Sequence, residues 1–455
     1  MTPASVRLAR CRCGARLPSV DDMTPQPTRC APGAPGAPWV FLVAAAAVAL
    51  HLADDSFLQP AHGVAAGDHL ASGGVPLLAL GVAALAYPRV RPGLRAVLAL
   101  LTAIAGLLSG FLESGYHLST VGLSDDDYTG LVAGVAGLVL VGLAAQTLWR
   151  SRRSGPTRPR QYLRRTLVGA AGLAILAEVV APFAFGYYVT HAMRATVPEA
   201  DLGAPHEDVV LTTSDGLELE GWYVPSTNGA AVIAFPGRTN PQPHTRMLVE
   251  HGYGVLLFDR RGEGHSDGDG NRLGWGGTRD IEAALDFLEG RPDVDPARIG
   301  GLGLSVGGEL MLETAAEDSR LAAVVSEGAG TRTFGEELVD FSPGTVIRGF
   351  HTLVAKQAGV SLFADEAEPP SLVDVVHRIA PRPALLIWAP NGGNRETMNP
   401  LYQRLIGPSA DLWAIDDVDH MKGLQGHPEE YERRVVGFFD DALLGTAPSE
   451  NAAGD

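Results

Sequence analysis

The sequence predicts a two-part protein: an all-α region of five membrane-spanning helices, then an α/β domain built on a mostly parallel sheet. Three observations carry that prediction. Charge divides near residue 200: the first 200 residues hold 16 Arg, no Lys and 11 acidic residues, net +5, whereas the remainder holds 19 basic and 41 acidic residues, net −22. Apolar stretches of near-spanning length recur before residue 191. Beyond about residue 205, short β-branched runs alternate with longer helical ones. Charged residues make up only 19% of the 455-residue chain and mean hydropathy is +0.09. A disordered chain, a disulfide-stapled mini-protein and, with a net charge of −17, a basic nucleic-acid binder are excluded.

Residues 1–38 are rich in Pro, Gly and Arg without apolar periodicity and read as a disordered tail. Met23 offers an alternative start within it. All three cysteines, Cys11, Cys13 and Cys30, lie there, so the α/β domain has neither a disulfide nor a Cys nucleophile. Apolar stretches follow at about 37–53, 70–87, 95–113, 129–149 and 166–190, within a membrane region of 39–190. The first two are short for a ~30 Å hydrocarbon core. Flanking charge sets their direction. Arg7, Arg10, Arg12, Arg16 and Arg29 precede span one, and Asp54, Asp55 and Asp68 follow it without a basic residue. Arg89, Arg91 and Arg95 come next, then the acidic Asp125–Asp127, then the run from Arg150 to Arg165. This is the positive-inside alternation, with a cytoplasmic N-terminus and an extracytoplasmic C-terminal domain in a multi-pass cell-membrane protein. Glu178 lies mid-way along the fifth stretch, where an ionisable group is costly. Gly130, Gly134, Gly137 and Gly142 suit close helix packing.

A linker of 191–204 leads into a domain of 205–445, followed by a tail of 446–455. Val209–Thr213 and Leu217–Tyr223 flank Ser214-Asp215-Gly216 as an antiparallel hairpin. Six further strands are expected at 230–235, 254–259, 298–304, 321–326, 384–388 and 411–415, most of them continuous apolar runs buried on both faces. Helices are expected at 243–251, 278–290, 306–317, 397–406 and 428–444. The long interval between the sixth and seventh strands breaks the rhythm and reads as a short cap over about 328–380.

The reactive signal is Gly303-Leu304-Ser305-Val306-Gly307-Gly308, directly after a strand and directly before a helix. A serine projected from so sharp a turn needs glycine two residues to either side. The helix that follows aims its amides at charge formed on attack. Phe235-Pro236-Gly237-Arg238 ends the third strand where an oxyanion donor is required. Pro236 has no N–H, so the amide of Gly237 or Arg238 would serve, with Val306 as the second donor. His420 follows the last strand, and Asp259-Arg260-Arg261-Gly262-Glu263-Gly264-His265-Ser266 follows the fourth.

On these residues the chain resembles the α/β-hydrolase family over about 205–445, and is most similar to its bacterial branch of dienelactone hydrolases and prolyl-oligopeptidase-like peptidases. The resemblance implies an α/β hydrolase fold: a mostly parallel eight-stranded sheet with helices on both faces and a short cap, here preceded by an all-α transmembrane region. It implies Ser305 as nucleophile and His420 as general base, and makes the Asp259–Ser266 segment a structural loop, with His265 part of the scaffold. The acid departs from the family, whose Asp follows the penultimate strand. Here the first carboxylate in that loop is Glu396, with Glu327 and Asp419 as competitors. Adjacent side chains diverge on an extended loop, which disfavours Asp419. Many relatives also have His where Pro236 stands.

The expected function is a membrane-anchored serine hydrolase acting on a small acyl or peptide substrate, with the lipid bilayer as its other partner and no nucleic acid. No cofactor or metal is implied, because the 13 histidines show no H-E-x-x-H or paired Cys/His spacing. The alternatives are a serine peptidase, a silent hydrolase fold used as an extracytoplasmic sensor, and, on Glu178 alone, a transporter.

Overall fold

The computed structural model describes residues 37–60, 62–120, 123, 127–151, 159–192, 194, 196–340, 343–392 and 396–445. The expected tails, with Cys11, Cys13 and Cys30, lie outside the described residues, as do Asp125, Asp126 and, of the basic run, Arg152, Arg153 and Arg158.

Among the described residues five helices are long and apolar enough to cross a membrane: Pro38–Leu58, Asp68–Arg89, Pro92–Ser119, Asp127–Arg150 and Thr166–Thr190. Spans one and two thus exceed the short lengths read from sequence. Span three runs on beyond residue 113 through a π-helical turn at Leu107–Leu112, where Ser109 Oγ returns its hydrogen bond to the Ala105 carbonyl. Spans three and four meet through small residues. A Cβ on Gly110 would stand 2.2 Å from the Gly130 carbonyl oxygen, and one on Gly106 2.7 Å from that of Ala133. Gly134 is covered by the Phe111 ring and Gly137 by Leu107, but nothing lies within 4 Å of Gly142, which therefore has no part in the packing. Span five stands apart, with none of its apolar window buried. Its last turns lie against a helix of the α/β domain instead, at Gly186 and Gly359.

The sheet runs β1 (Glu207–Thr212), β2 (Glu218–Val224), β3 (Ala231–Phe235), β4 (Gly254–Phe258), β5 (Ile299–Leu304), β6 (Ala323–Glu327), β7 (Ala384–Trp388) and β8 (Ala410–Ala414). Its spatial order is β1-β2-β4-β3-β5-β6-β7-β8. β2 pairs antiparallel with β1 and β4, and every other pair is parallel. β3 to β6 are buried along their whole length. Alternate side chains serve two cores: Ile233 and Phe235 face the helices Thr278–Glu289 and Val306–Glu317, while Val232 and Ala234 face Gln242–Glu250 and Pro428–Phe439. On the last of these helices Tyr431, Val435 and Phe439 recur every fourth residue and form the buried stripe. Each such fully buried aliphatic side chain contributes about 1.5–3 kcal/mol.

Two consequences of this layout position the site. From β3 the chain crosses outward to β4, then returns to β5 on the other side of β3. The C-terminal ends of β3 and β5 therefore flank the crevice where strand order reverses, which is where open α/β sheets bind ligands. The interval after β6 folds into helices Phe334–Asp340 and Pro343–Phe363, and the second of these is the one that meets span five.

A paired substitution tests the bundle. Gly110→Ala is expected to lower the melting temperature of the full chain in detergent, as overpacking costs about 1–3 kcal/mol. Gly142→Ala is expected to leave it unchanged or slightly raised, since alanine favours helix where space is free.

Candidate active site

Ser305 stands between β5 and the helix Val306–Glu317 at φ 53°, ψ −122°. A non-glycine residue in that region carries about 1–3 kcal/mol of strain, so its surroundings must hold it there. They do so tightly. The Ser305 amide donates to the Glu327 carbonyl at 2.8 Å, and the Ser305 carbonyl accepts from Gly308 N–H at 2.8 Å. A Cβ on Gly303 would lie 2.3 Å from the Gly307 carbonyl oxygen, and one on Gly307 2.6 Å from that of Phe235. Both flanking glycines are thus sterically obligatory.

The Ser305 hydroxyl lies 2.9 Å from His420 Nε2. On its other side His420 Nδ1 is hydrogen-bonded to Glu396 Oε1. An ionised carboxylate only accepts, so Nδ1 carries the proton and Nε2 is left to accept from the serine. Glu396 is buried, and its second oxygen accepts the Ala389 amide at 2.7 Å, which fixes the carboxylate plane. The loop between β7 and the helix Asn399–Ile406 therefore delivers a Glu where the family has Asp; of that loop, Gly393, Asn394 and Arg395 lie outside the described residues. Asp419 is exposed.

Glu327 is engaged elsewhere. Its oxygens accept Gly423 N–H at 2.9 Å and the Tyr431 hydroxyl at 2.7 Å, with His244 Nε2 at 3.7 Å. Burial pushes its pKa up, but His244, Tyr431 and Gly423 together outweigh burial and hold the carboxyl below its ordinary range.

The oxyanion donors divide. Gly237 and Val306 line the same 220 Å³ pocket as Ser305, together with Thr196, Val197, Asn240 and Met421. The Arg238 amide is not available to it, because it donates to Asp259 Oδ1 at 2.9 Å. The guanidinium of Arg238 also grips Asp259 Oδ2, at 2.9 and 2.7 Å, and stacks over Trp222. Of the three residues expected from sequence to supply an amide, Gly237 and Val306 therefore line the pocket. In the rest of the Asp259–Ser266 segment Ser266 Oγ donates to the Asp259 carbonyl, Arg261 pairs with Asp280 and His265 is exposed, while Arg260, Glu263 and Gly264 line the pocket.

Three participants left no readable signal in the sequence. Gly328, at φ +77°, sits under the imidazole; a Cβ there would be 2.9 Å from His420 Cε1. Met421, at φ 56°, turns the chain directly after His420. Glu309, on the first turn after Ser305, is buried and accepts Gly330 N–H at 2.9 Å. Burial raises its pKa to about 7 against the opposing pull of Arg332 and the Gly330 amide.

Strand order, crossover and elbow together give this half of the chain an α/β-hydrolase fold. The family model described as X-Pro dipeptidyl-peptidase (S15 family) matches residues 190–377, a stretch that includes Ser305. Among curated proteins, an uncharacterised protein of Mycobacterium tuberculosis (strain H37Rv) is 38% identical over 137 residues, covering 28% of this chain and 48% of its own length. A polyketide transferase of Penicillium is 36% identical over 137 residues, covering 27% of this chain and 44% of the relative. The chain thus spans about half the length of these relatives. Escherichia coli K12 YfhR, also uncharacterised, is 27% identical over 207 residues, 41% of this chain and 72% of that protein. A solved esterase of Pyrococcus furiosus, 22% identical, aligns over 56% of this chain and 99% of its own at a TM-score of 0.45.

Two measurements probe the carboxylates. Glu327→Gln is expected to lower thermal stability, whereas Glu396→Gln is expected to fold normally and to slow hydrolysis of an activated acyl ester by about 10³–10⁴-fold, through loss of the correct imidazole tautomer. For Glu309 the folded pKa of about 7 lies above the ordinary 4.5, so the folded chain binds more protons between those values. Its contribution is fully present below pH 4.5 and falls as pH rises toward 7, by up to about 3 kcal/mol. Glu309→Gln is expected to flatten that part of the stability–pH curve measured by chemical denaturation.

Proposed function

We propose that the protein is a membrane-anchored serine hydrolase that cleaves an acyl ester, thioester or amide through an acyl-enzyme. The observation that carries this is the continuous hydrogen-bonded chain Ser305–His420–Glu396, set at a strained bend that opens on a pocket. Ser305 Oγ attacks the acyl carbonyl as its proton passes to His420 Nε2, and Glu396 holds the imidazolium through Nδ1–H. The oxyanion forms toward the amides of Gly237 and Val306. The imidazolium then protonates the leaving group. Water, deprotonated by His420, attacks the acyl carbon and releases the acid with Ser305 restored.

The pocket's 220 Å³ suits a short acyl group or one amino-acid side chain. Span five runs into the linker that lines this pocket, which favours an ester substrate delivered near the bilayer. The S15-type match supports a second reading, an exopeptidase within the same serine chemistry. Our assignment to the dienelactone hydrolase and prolyl-oligopeptidase-like branch rests on the Ser–acid–His order and the G-x-S-x-G elbow. An assembled triad speaks against a silent sensor scaffold. Glu178, the basis for a transporter reading, pairs instead with His351 at 3.0 Å, both half exposed.

The topology we propose puts the N-terminus in the cytoplasm and the hydrolase domain outside. The loop after span one and the end of span five both reach that domain, through His62 O to Gly268 N–H at 2.7 Å and Ala192 N–H to Gly270 O at 2.8 Å, which supports placing them on one side. A C-terminal reporter active only outside the cytoplasm tests this, and a cytoplasmic signal overturns it.

For the chemistry, a fluorophosphonate probe is expected to label the full chain and not Ser305→Ala, with ester hydrolysis lowered by at least about 10⁴-fold in that variant. Equal labelling of both would refute the assignment.

A further inference from the structure

Away from Ser305, four side chains distant in sequence meet where the membrane region joins the hydrolase domain. His69 opens span two, His191 directly follows span five, Asp269 lies in the loop after β4, and Asp365 follows the cap helix Pro343–Phe363. Ligating atoms of His69, His191 and Asp365 all lie within 4.8 Å of one another. His69 Nε2 is 3.3 Å from Asp269 Oδ2, and His191 Nε2 is 4.0 Å from Asp365 Oδ2.

Tautomers make the cluster informative. His191 Nδ1 lies 3.0 Å from Thr190 Oγ1 and 3.2 Å from the Tyr187 carbonyl; with the Thr190 hydroxyl donating to the Gly186 and Tyr187 carbonyls, a proton on Nδ1 satisfies the carbonyl acceptor and Nε2 presents a lone pair. That Nε2 is buried without a hydrogen-bond partner, and the nearest carboxylate is also an acceptor. Asp269 Oδ2 is likewise buried without a hydrogen bond. His69, itself buried, is oriented by Ser72 Oγ at 3.2 Å from its Nδ1. With Nε2 of both imidazoles unprotonated, their lone pairs and the carboxylate oxygens beside them repel unless a cation lies between them. Arg194 offsets part of the negative charge at Asp269 without entering the cluster.

We propose that His69, His191, Asp269 and Asp365 bind one divalent transition-metal ion, zinc in the first instance. Two neutral imidazoles and two carboxylates match its charge and its preference for mixed N/O donors, whereas calcium and magnesium require oxygen donors throughout. Ligands at about 2.0–2.1 Å in a tetrahedron stand about 3.3 Å apart. The His69–Asp269 separation of 3.3 Å already matches; the His191–Asp365 pair, at 4.0 Å, needs to close by about 0.7 Å, and the remaining separations among His69, His191 and Asp365 close from no more than 4.8 Å. Hydrogen bonds on each Nδ1 supply the outer-shell orientation such ligands need. No short-range motif reveals the site, because every ligand comes from a different segment. The ion would staple spans two and five to the hydrolase domain. It would also anchor the linker whose Thr196 and Val197 wall the pocket before Ser305.

The test uses the full chain in detergent, stripped of metal and dialysed against Zn²⁺. One zinc per chain by elemental analysis and a raised melting temperature are expected, both lost in His69→Ala/His191→Ala and both kept in Ser305→Ala. Co²⁺ provides a readout on the unaltered chain, with the visible absorption of a tetrahedral N/O site expected. Failure of the chain to take up zinc, zinc binding that persists in the double variant, or absence of the cobalt spectrum overturns the proposal. Since Ser305→Ala keeps the metal, failure here and failure of the hydrolase reading are separable.

Discussion

The domain depends on a left-handed bend one residue long. Ser305 keeps its φ of 53° because β5 and β6 remain paired up to the bend itself: its amide donates to Glu327, the last residue of β6. The next residue, Gly328, forms the floor under His420. One ladder therefore holds the nucleophile and also limits how far the imidazole can sink. A slip of one register position between these strands would move both, because successive residues on a strand face opposite sides of the sheet.

Around that bend, buried carboxylates differ in role because they face different donors. Glu396 meets one imidazole N–H and one amide, and remains an acceptor aimed at His420. Glu327 meets a phenol, an amide and a histidine, and ties β6 to the helix Pro428–Phe439. Asp259 is saturated by the amide and guanidinium of Arg238, which locks the end of β3 against the end of β4. Glu309 has a single amide donor, and burial raises its pKa. Residue type alone does not distinguish these roles; the number and kind of donors within hydrogen-bond reach does.

That distinction marks how far the sequence could be read. Strands β3 to β6 were legible because both faces are buried and the runs are continuously apolar. Ser305 was legible because its glycines answer a local steric demand. His420 and Glu396 were placed through the family pattern, and the choice between Glu396 and Glu327 needs coordinates, since Glu327 ends one parallel strand and Glu396 lies in the loop after the next. The amide of Arg238 could not be excluded as an oxyanion donor from sequence, because its partner, Asp259, lies on the neighbouring strand's loop. Gly142 looked like its neighbours Gly134 and Gly137, yet it faces open space; the spacing of small residues does not reveal which side of a helix has a partner.

Span five joins the two halves in a way that bears on the walls of the Ser305 pocket. Its window buries nothing against the other spans, while Gly186 and Gly359 bring its backbone against the cap helix, with Phe183 and Tyr187 edge-on to Phe363. Backbone approach this close leaves little freedom for sliding, because each neighbouring carbonyl occupies the space of the missing Cβ. The cap is therefore positioned by the membrane helix as well as by the sheet it covers. The linker that leaves span five passes His191 and then lines the pocket at Thr196 and Val197. The helix Pro343–Phe363 and the pocket wall at Thr196 and Val197 thus share one attachment, to the end of span five, whereas Ser305, His420 and Glu396 are held beyond the C-terminal ends of the strands. The walls of the pocket before Ser305 are therefore coupled to that span, and the geometry of the triad is not.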